Sequence, residues 1–364
     1  MSVGPELTRA QRRALDHHDA RAEKVRGEAH EAIERLLEQH AAGSRVADLA
    51  ASVLARARVT LAFHPDRLRA DGVSVAEGLL HEGRYRSQFE TGVTNGSPTA
   101  FAGGERDTWE AKLFGGAYQA PGTELHERPK YGAFDLVGHD DGGSPRFGSC
   151  HLVTKRAVWD RCTLTWGDSH EGPEHLGSVR VLEPILAAWL DTIARTGGAL
   201  GIEGLDIARA CTLLLEPQAK TLAIGRALDA YIEAQIHGDL DLTRDIDALV
   251  IDPSFVDTNT GAHLEALATR SGIALRCHAG FVLSPAEVPG DFRGPRMIPL
   301  ATRVMAFASR PDRFDVAAIG RAAASLHHEP QRWADWGTPA ETWQHLKQLW
   351  HVLVRFGRPH ASAT

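Results

Sequence analysis

The chain has 364 residues, 43% of them hydrophobic and 24% charged, a composition that excludes intrinsic disorder and supplies material for a buried core. Forty Lys and Arg against 47 Asp and Glu give a formal net charge of -7, which disfavours a polycationic nucleic-acid surface and leaves only a local basic rim at Arg67, Arg69, Arg84 and Arg86. No run approaches the roughly 18 uncharged apolar residues of a membrane-spanning helix, so no membrane partner is expected. Charges at Arg9, Arg12, Arg13, Asp16 and Asp19 argue against a secretory signal. The four cysteines (Cys150, Cys162, Cys211, Cys277) form no CxxC pair, so reduced thiols and a cytoplasmic location are expected.

In chain order, residues 1–55 read as a helical segment, rich in Ala, Arg, Glu and Leu from Thr8 onward and broken at Gly43-Ser44. Val59 to Phe63 is a β-prone run ended by His64-Pro65-Asp66. Ser74 to His81 reads as a helix, with Ser74 as N-cap, Glu77 at the capping-box spacing and Gly83 just past its end. Residues 84–150 are dense in glycine and predict loops and short strands rather than helices, with strands at Tyr131–Val137 and Phe147–Thr154. A further strand is expected at Thr163–Trp166. Helices are expected at Val179–Arg195, Leu205–Leu215 and Leu222–Leu228, a helical insertion near 178–228. Strands follow at Tyr231–Ile236 and Ala248–Ile251, then a mixed tail from His263 with helices at 314–326 and 340–356. Strands scattered among helices without regular alternation favour α+β. The organisation expected is therefore 1–55, an α+β unit over 56–290, and a mainly helical extension over 291–364. Neither a GxGxxG nor a P-loop pattern follows a strand.

Three segments carry the functional expectation: the 59–63 strand ending at His64, the strand that opens at Tyr131, and the strand around Glu233. On that last strand Tyr231, Glu233 and Gln235 share one face and Ile232, Ala234 and Ile236 the other, which suits a carboxylate lining a cleft. Read as residues alone, other roles stay open. His64 before proline can be a turn residue and Tyr131 an aromatic at the core edge. Arg84 and Arg86 can include a structural ion pair, and Arg146 can cap a loop. A second cluster, His139-Asp140-Asp141 and Gly167-Asp168-Ser169-His170 with Asp66 and His64, has the ligand types of a metal-dependent hydrolase or phosphoesterase, although no zinc-ligand spacing is present. A non-catalytic binding protein is the third class.

The segments Phe63-His64-Pro65-Asp66-Arg67, Tyr85 to Gly92, Arg128 to Ala133, Ser144 to Cys150 and Glu233 to Gly238 resemble a bacterial family known as domain of unknown function 3626. The order strand–His, strand–Tyr, strand–Glu more distantly resembles the His–Tyr–Glu plan of the ADP-ribosyltransferase superfamily, with His64-Pro65-Asp66 in place of the usual His-Gly-Thr. That resemblance implies a split mixed β-sheet core of ADP-ribosyltransferase type with N-terminal and C-terminal helical additions. It implies an NAD-dependent ADP-ribosyltransferase that uses NAD as co-substrate and passes ADP-ribose to a protein, nucleic acid or small molecule. Glu233 and Gln235 are the implied catalytic residues, Gln235 placing the acceptor. His64, Arg67, Arg84, Tyr85, Arg86, Tyr131 and Arg146 are the implied NAD contacts. The implied chemistry is stabilisation of an oxocarbenium-like state by a carboxylate.

Overall fold

The computed structural model describes residues 5–69, 71–92, 99–216 and 226–360. Its centre is a sheet built from β1 (Arg58–Phe63), β2 (Lys130–Asp135), β3 (Cys150–Thr154), β4 (Cys162–Trp166), β5 (Leu176–Ser178), β6 (Ile232–Ile236), β7 (Ile246–Ile251) and β8 (Ala274–Cys277). The strand order is β8-β7-β3-β1-β2-β6-β4-β5. Every neighbouring pair is antiparallel except β7 and β8. Those two are joined by a crossover helix, Asn259–Ser271, as a parallel pair requires. The fold is thus mixed α/β with a large, mostly antiparallel sheet. The split sheet expected from the resemblance is corrected: the eight strands form one continuous ladder, because β1 pairs with β2 on one side and β3 on the other.

The helices are α1 (Arg9–Gln39), α2 (Val46–Arg56), α3 (Val75–Glu82), α4 (Glu105–Leu113), α5 (Glu183–Thr196), α6 (Ile207–Leu215), α7 (Asn259–Ser271), α8 (Met297–Val304), α9 (Val316–His328) and α10 (Pro339–Phe356), besides two single-turn segments. Among the described residues no helix is long and apolar enough to cross a membrane. α1 opens on a capping box between Thr8 and Gln11. At α3 the Ser74 hydroxyl accepts from the Glu77 N–H, and Gly83 takes the left-handed conformation that ends it. α4 was not expected in the glycine-dense region. The glycines flank it, at Gly104 and at Gly115-Gly116, and the intervening residues are good helix formers. The strand expected from Phe147 begins only at Cys150, because Pro145–Phe147 is a 3-10 turn. α8 and most of α7 fall in the tail read as mixed from His263. Most of the expected helix Leu222–Leu228 lies outside the described residues.

One apolar core runs from Ile33 and Leu37 of α1 through the strands and α5–α6 to Trp350 and Val354 of α10. Val59, Leu61 and Phe63 of β1 and Ile232, Ala234 and Ile236 of β6 belong to it, as alternation requires. At the β1–β2 crossing a side chain on Gly132 would run into the Thr60 carbonyl, so glycine permits the close approach. On β6 the opposite face carries Glu233 and Gln235, both buried.

Candidate functional site

The ends of β1, β2 and β6 open on one cleft, of about 150 Å³, lined by His64, Arg67, Arg84, Tyr85, Arg86, Tyr131 and Glu233 among others. Residues far apart in sequence meet there because β2 lies between β1 and β6, with Ala133 opposite Glu233 and Thr60 opposite Ala133. Two of the expected residues lie elsewhere. Gln235 stands behind Glu233, and Arg146 lines a second cavity beside α9 and α10.

Glu233 is the best-buried acid of the cleft, 5% exposed. Tyr231 donates its hydroxyl to Oε2 at 3.2 Å, and Gln235 donates its amide to Oε1 at 2.8 Å. Burial pushes the carboxyl up to about 7, the Asp168 charge adds to that, and hydrogen bonds from Gln235 and Ser169 pull back. Asp168 also lines the cleft. Burial works against its ionised form, yet the His170 side chain (2.8 Å) and backbone, the His170 charge and the Tyr231 hydroxyl outweigh it, and Asp168 titrates below the usual range. The cleft thus holds two carboxyls driven apart in acidity, the arrangement that separates an acid from a base.

Gln235 is fully buried and its amide is saturated. It accepts from the Thr163 hydroxyl at 2.7 Å and donates to Thr165 Oγ1 at 3.2 Å as well as to Glu233. The Thr163 hydroxyl also meets His237 Nε2 at 3.1 Å, and His237 is stacked on Tyr118. A chain of side-chain hydrogen bonds therefore backs the carboxylate along the polar face of β4 and β6. Gln235 itself does not line the cleft; its amide meets the Glu233 carboxylate from behind.

Tyr131 donates its hydroxyl to Glu110 Oε1 at 2.8 Å, and the Arg106 guanidinium lies 4.8 Å from its ring centroid. Glu110 is buried, which raises its carboxyl despite the ion pair it makes with Arg128 at 2.7 Å. Arg106 and Glu110 sit on α4, and sequence reasoning missed both. The signal was the run between Gly104 and Gly115, a charged helix with acidic residues in its first turn. Arg84 pairs with Glu90 at 2.9 Å, and Arg86 with Glu82 at 3.2 Å and Glu90 at 3.8 Å. Both are therefore engaged by carboxylates at the cleft wall. Tyr85 faces Leu240 in a two-residue ribbon, and burial lifts its hydroxyl to about 12. Burial lowers His64 to about 3, so the ring is neutral at ordinary pH, and it sits edge-on to Trp350 at 5.1 Å.

The Asp/His residues weighed for a metal centre have other occupations. His139 Nε2 bonds the Leu200 carbonyl at 2.8 Å, Asp141 accepts from the Arg226 N–H at 3.1 Å, and Asp140 is exposed. Among the described residues no three His, Cys, Asp or Glu side chains are arranged to hold a metal ion.

A family model described as "Protein of unknown function (DUF3626)" matches residues 58–356. The chain belongs to this family. The DUF3626 match begins where β1 begins and ends where α10 ends, so it takes in the whole sheet and both cavities, while α1 and α2 precede it. The chain is 30% identical over 191 residues to the Gene 2 protein of Mycobacterium phage L5, covering 49% of this chain and 63% of that protein. It is 36% identical over 91 residues to the Gene 2 protein of Mycobacterium phage D29, covering 25% of this chain and 31% of that protein. The chain therefore spans less than two thirds of the length of either phage protein.

Proposed function

We propose that this DUF3626 protein is an NAD-dependent ADP-ribosyltransferase. The observation that carries the reading is the convergence on one cleft of His64, just past the end of β1, Tyr131 of β2 and Glu233 of β6. The order and type of these residues are those of the His–Tyr–Glu plan the sequence resembles. In this reading NAD enters the cleft as a substrate, with its nicotinamide riboside half beside Tyr131 and Glu233. Arg106 and the Tyr131 ring form one wall. Neutral His64 donates to or accepts from a ribose hydroxyl.

The C1′–N bond breaks with its electron pair passing to the nicotinamide ring, which leaves neutral. Positive charge grows on the ribose, and ionised Glu233 stabilises it. Gln235 and Tyr231 hold the two carboxylate oxygens in place for that purpose. The acceptor nucleophile then bonds to C1′ and gives up its proton. The test is incubation with NAD: free nicotinamide should accumulate, and should not with Glu233→Gln.

A second reading rests on the Asp168–Glu233 pair. An ionised carboxylate next to a less acidic one is suited to activating water. With water as acceptor the product is free ADP-ribose. Its appearance in step with nicotinamide, without any modified acceptor, would favour hydrolysis.

A further inference from the structure

β4 ends at Trp166, opposite Ile232, and the pairing runs one step further, with the Gly167 N–H donating to the Tyr231 carbonyl at 3.0 Å. Gly167 has φ +87°, in the left-handed region that favours glycine, and there the chain leaves the ladder. The Thr165 hydroxyl ties this corner by donating to the Gly167 carbonyl at 2.9 Å. Asp168 is the first residue past it and enters the cleft beside Tyr231 and Glu233.

The Tyr231 hydroxyl bonds Glu233 Oε2 at 3.2 Å and also reaches the Asp168 carboxyl. Two groups around one hydroxyl oxygen stand within about 6 Å of each other, the sum of two hydrogen-bond lengths, so both acids face the same stretch of cleft. Their supports differ. Glu233 is held by neutral donors, whereas His170 bonds Asp168 Oδ1 twice, from its ring Nδ1 at 2.8 Å and its backbone N–H at 3.2 Å. Oδ2 is the oxygen that His170 leaves unoccupied. The His170 ring is exposed, lies against Trp109 of α4 at 5.5 Å and does not line the cleft, so the carboxylate and not the imidazole meets a ligand. Glu171 is 4.0 Å from the other ring nitrogen, and Lys347 of α10 feels the Asp168 charge.

We infer that Asp168 is the base that takes the acceptor's proton, with His170 as the positioning residue behind it, and that the acceptor is therefore a group with a proton to lose, a hydroxyl or an N–H, rather than a carboxylate. The inference rests on the NAD reading above. As the bond to nicotinamide breaks, a lone pair of the acceptor bonds to C1′. The acceptor's O–H or N–H bond then breaks, its electron pair stays on the acceptor atom, and the proton passes to Asp168 Oδ2 and from there to water. A hydroxyl bonding to a cationic carbon is a strong acid, so an ionised carboxylate accepts its proton although Asp168 titrates low. Glu233 remains the charge stabiliser, and the two acids divide the work.

The test uses the full chain with NAD, water as the acceptor, and a pH of about 8, where Glu233 is ionised. Asp168→Asn should lower nicotinamide release by about 10²-fold or more, since a general base is typically worth about 10²–10⁴-fold. Without the base the cation recaptures nicotinamide. Azide bonds to C1′ with no proton to lose, so it should raise release by the variant about tenfold or more, with ADP-ribosyl azide as the product, and accelerate wild type far less. His170→Phe should show the same azide dependence in smaller measure, a response that the loss of a merely structural ring would not give. Its exposed position makes it the variant to use if Asp168→Asn fails to fold. Wild-type turnover in Asp168→Asn, or a variant that binds NAD and stays inactive in azide, overturns the inference and leaves the NAD reading standing. No nicotinamide release from wild type overturns both.

Discussion

Gln235 donates its side-chain amide to Glu233 Oε1 at 2.8 Å from two residues further along the same strand. Because strand side chains repeat every second residue, the two project from one face, and the amide reaches the carboxylate without any turn or loop between them. The amide is itself fixed by Thr163 and Thr165 on β4. A carboxylate held this way changes orientation little when a ligand arrives, which is the preorganisation that charge stabilisation requires.

Glu233→Gln keeps the size and most of the polarity of the side chain and removes its charge. Nicotinamide release should fall by roughly 10²–10³-fold, the loss typical of one electrostatic group in a transition state. NAD affinity should change little, because the carboxylate acts mainly after the bond begins to break. Rate and affinity measured side by side on the two proteins check this. Wild-type turnover in the variant would end the enzyme reading.

The pH dependence has a definite sign. Glu233 must be ionised to act, and burial holds its carboxyl near 7, so the rate should climb as pH rises through about 7. Stability moves the other way. A carboxyl whose folded value lies above its unfolded value, about 4.3, favours the folded state most below the unfolded value, and that contribution is lost as pH rises through about 7. Glu233→Gln lacks this loss. Its melting temperature relative to wild type should therefore increase between about pH 5 and pH 8, read in a series of thermal melts.

Gln235→Leu removes a bond that draws Glu233 toward ionisation. The rise in rate should shift to higher pH. Thr163 loses an acceptor and Glu233 a donor in a buried setting, so stability should drop by about 1–3 kcal/mol, measured by urea unfolding. A residue that only contacted the acceptor would leave both the pH profile and the stability unmoved.

Glu110→Ala tests the other wall. It leaves buried Arg128 with Asp107 alone, at 2.7 Å, and leaves the Tyr131 hydroxyl without its acceptor. Because one partner of the pair survives, the cost should be roughly 3 kcal/mol, the low end for breaking a buried pair. Tyr131 should lose its fixed orientation, raising the KM for NAD more than it lowers kcat.

Nicotinamide release should also survive a chelator, since the cleft residues invoked here are side-chain groups acting on the substrate directly. Loss of activity in the chelator, restored by one divalent ion, would return attention to Asp168 and His170.

Much of this architecture could be read from residue patterns. The β1 run is short, apolar and stopped by Pro65, and the alternation around Glu233 places three apolar side chains in the core and two polar ones opposite. The cap at Ser74 fixed the start of α3 to the residue. What local pattern could not supply was pairing. That β1 sits beside β2 and β3 depends on contacts across the fold, and so does the single sheet. α4 was hidden by glycines that are dense around it and absent within it, so Arg106 and Glu110 went unseen. That Arg84 and Arg86 make ion pairs was one of the readings the sequence left open, but which carboxylates they meet, Glu82 and Glu90, is decided only by folding.

Trp350 of α10 donates its indole N–H to the carbonyls of Pro145 at 3.0 Å and Arg146 at 3.1 Å. The same tryptophan touches His64, and Gly148, just past that turn, lies against the Phe63 backbone with no room for a side chain. The end of the chain is therefore the ceiling over a loop that begins two hundred residues earlier. A version shortened ahead of α10 would retain every strand of the sheet and still lose the roof above His64. Swapping segments between DUF3626 relatives should succeed only when the 144–148 turn and the last helix travel together, since each is the mould in which the other is cast.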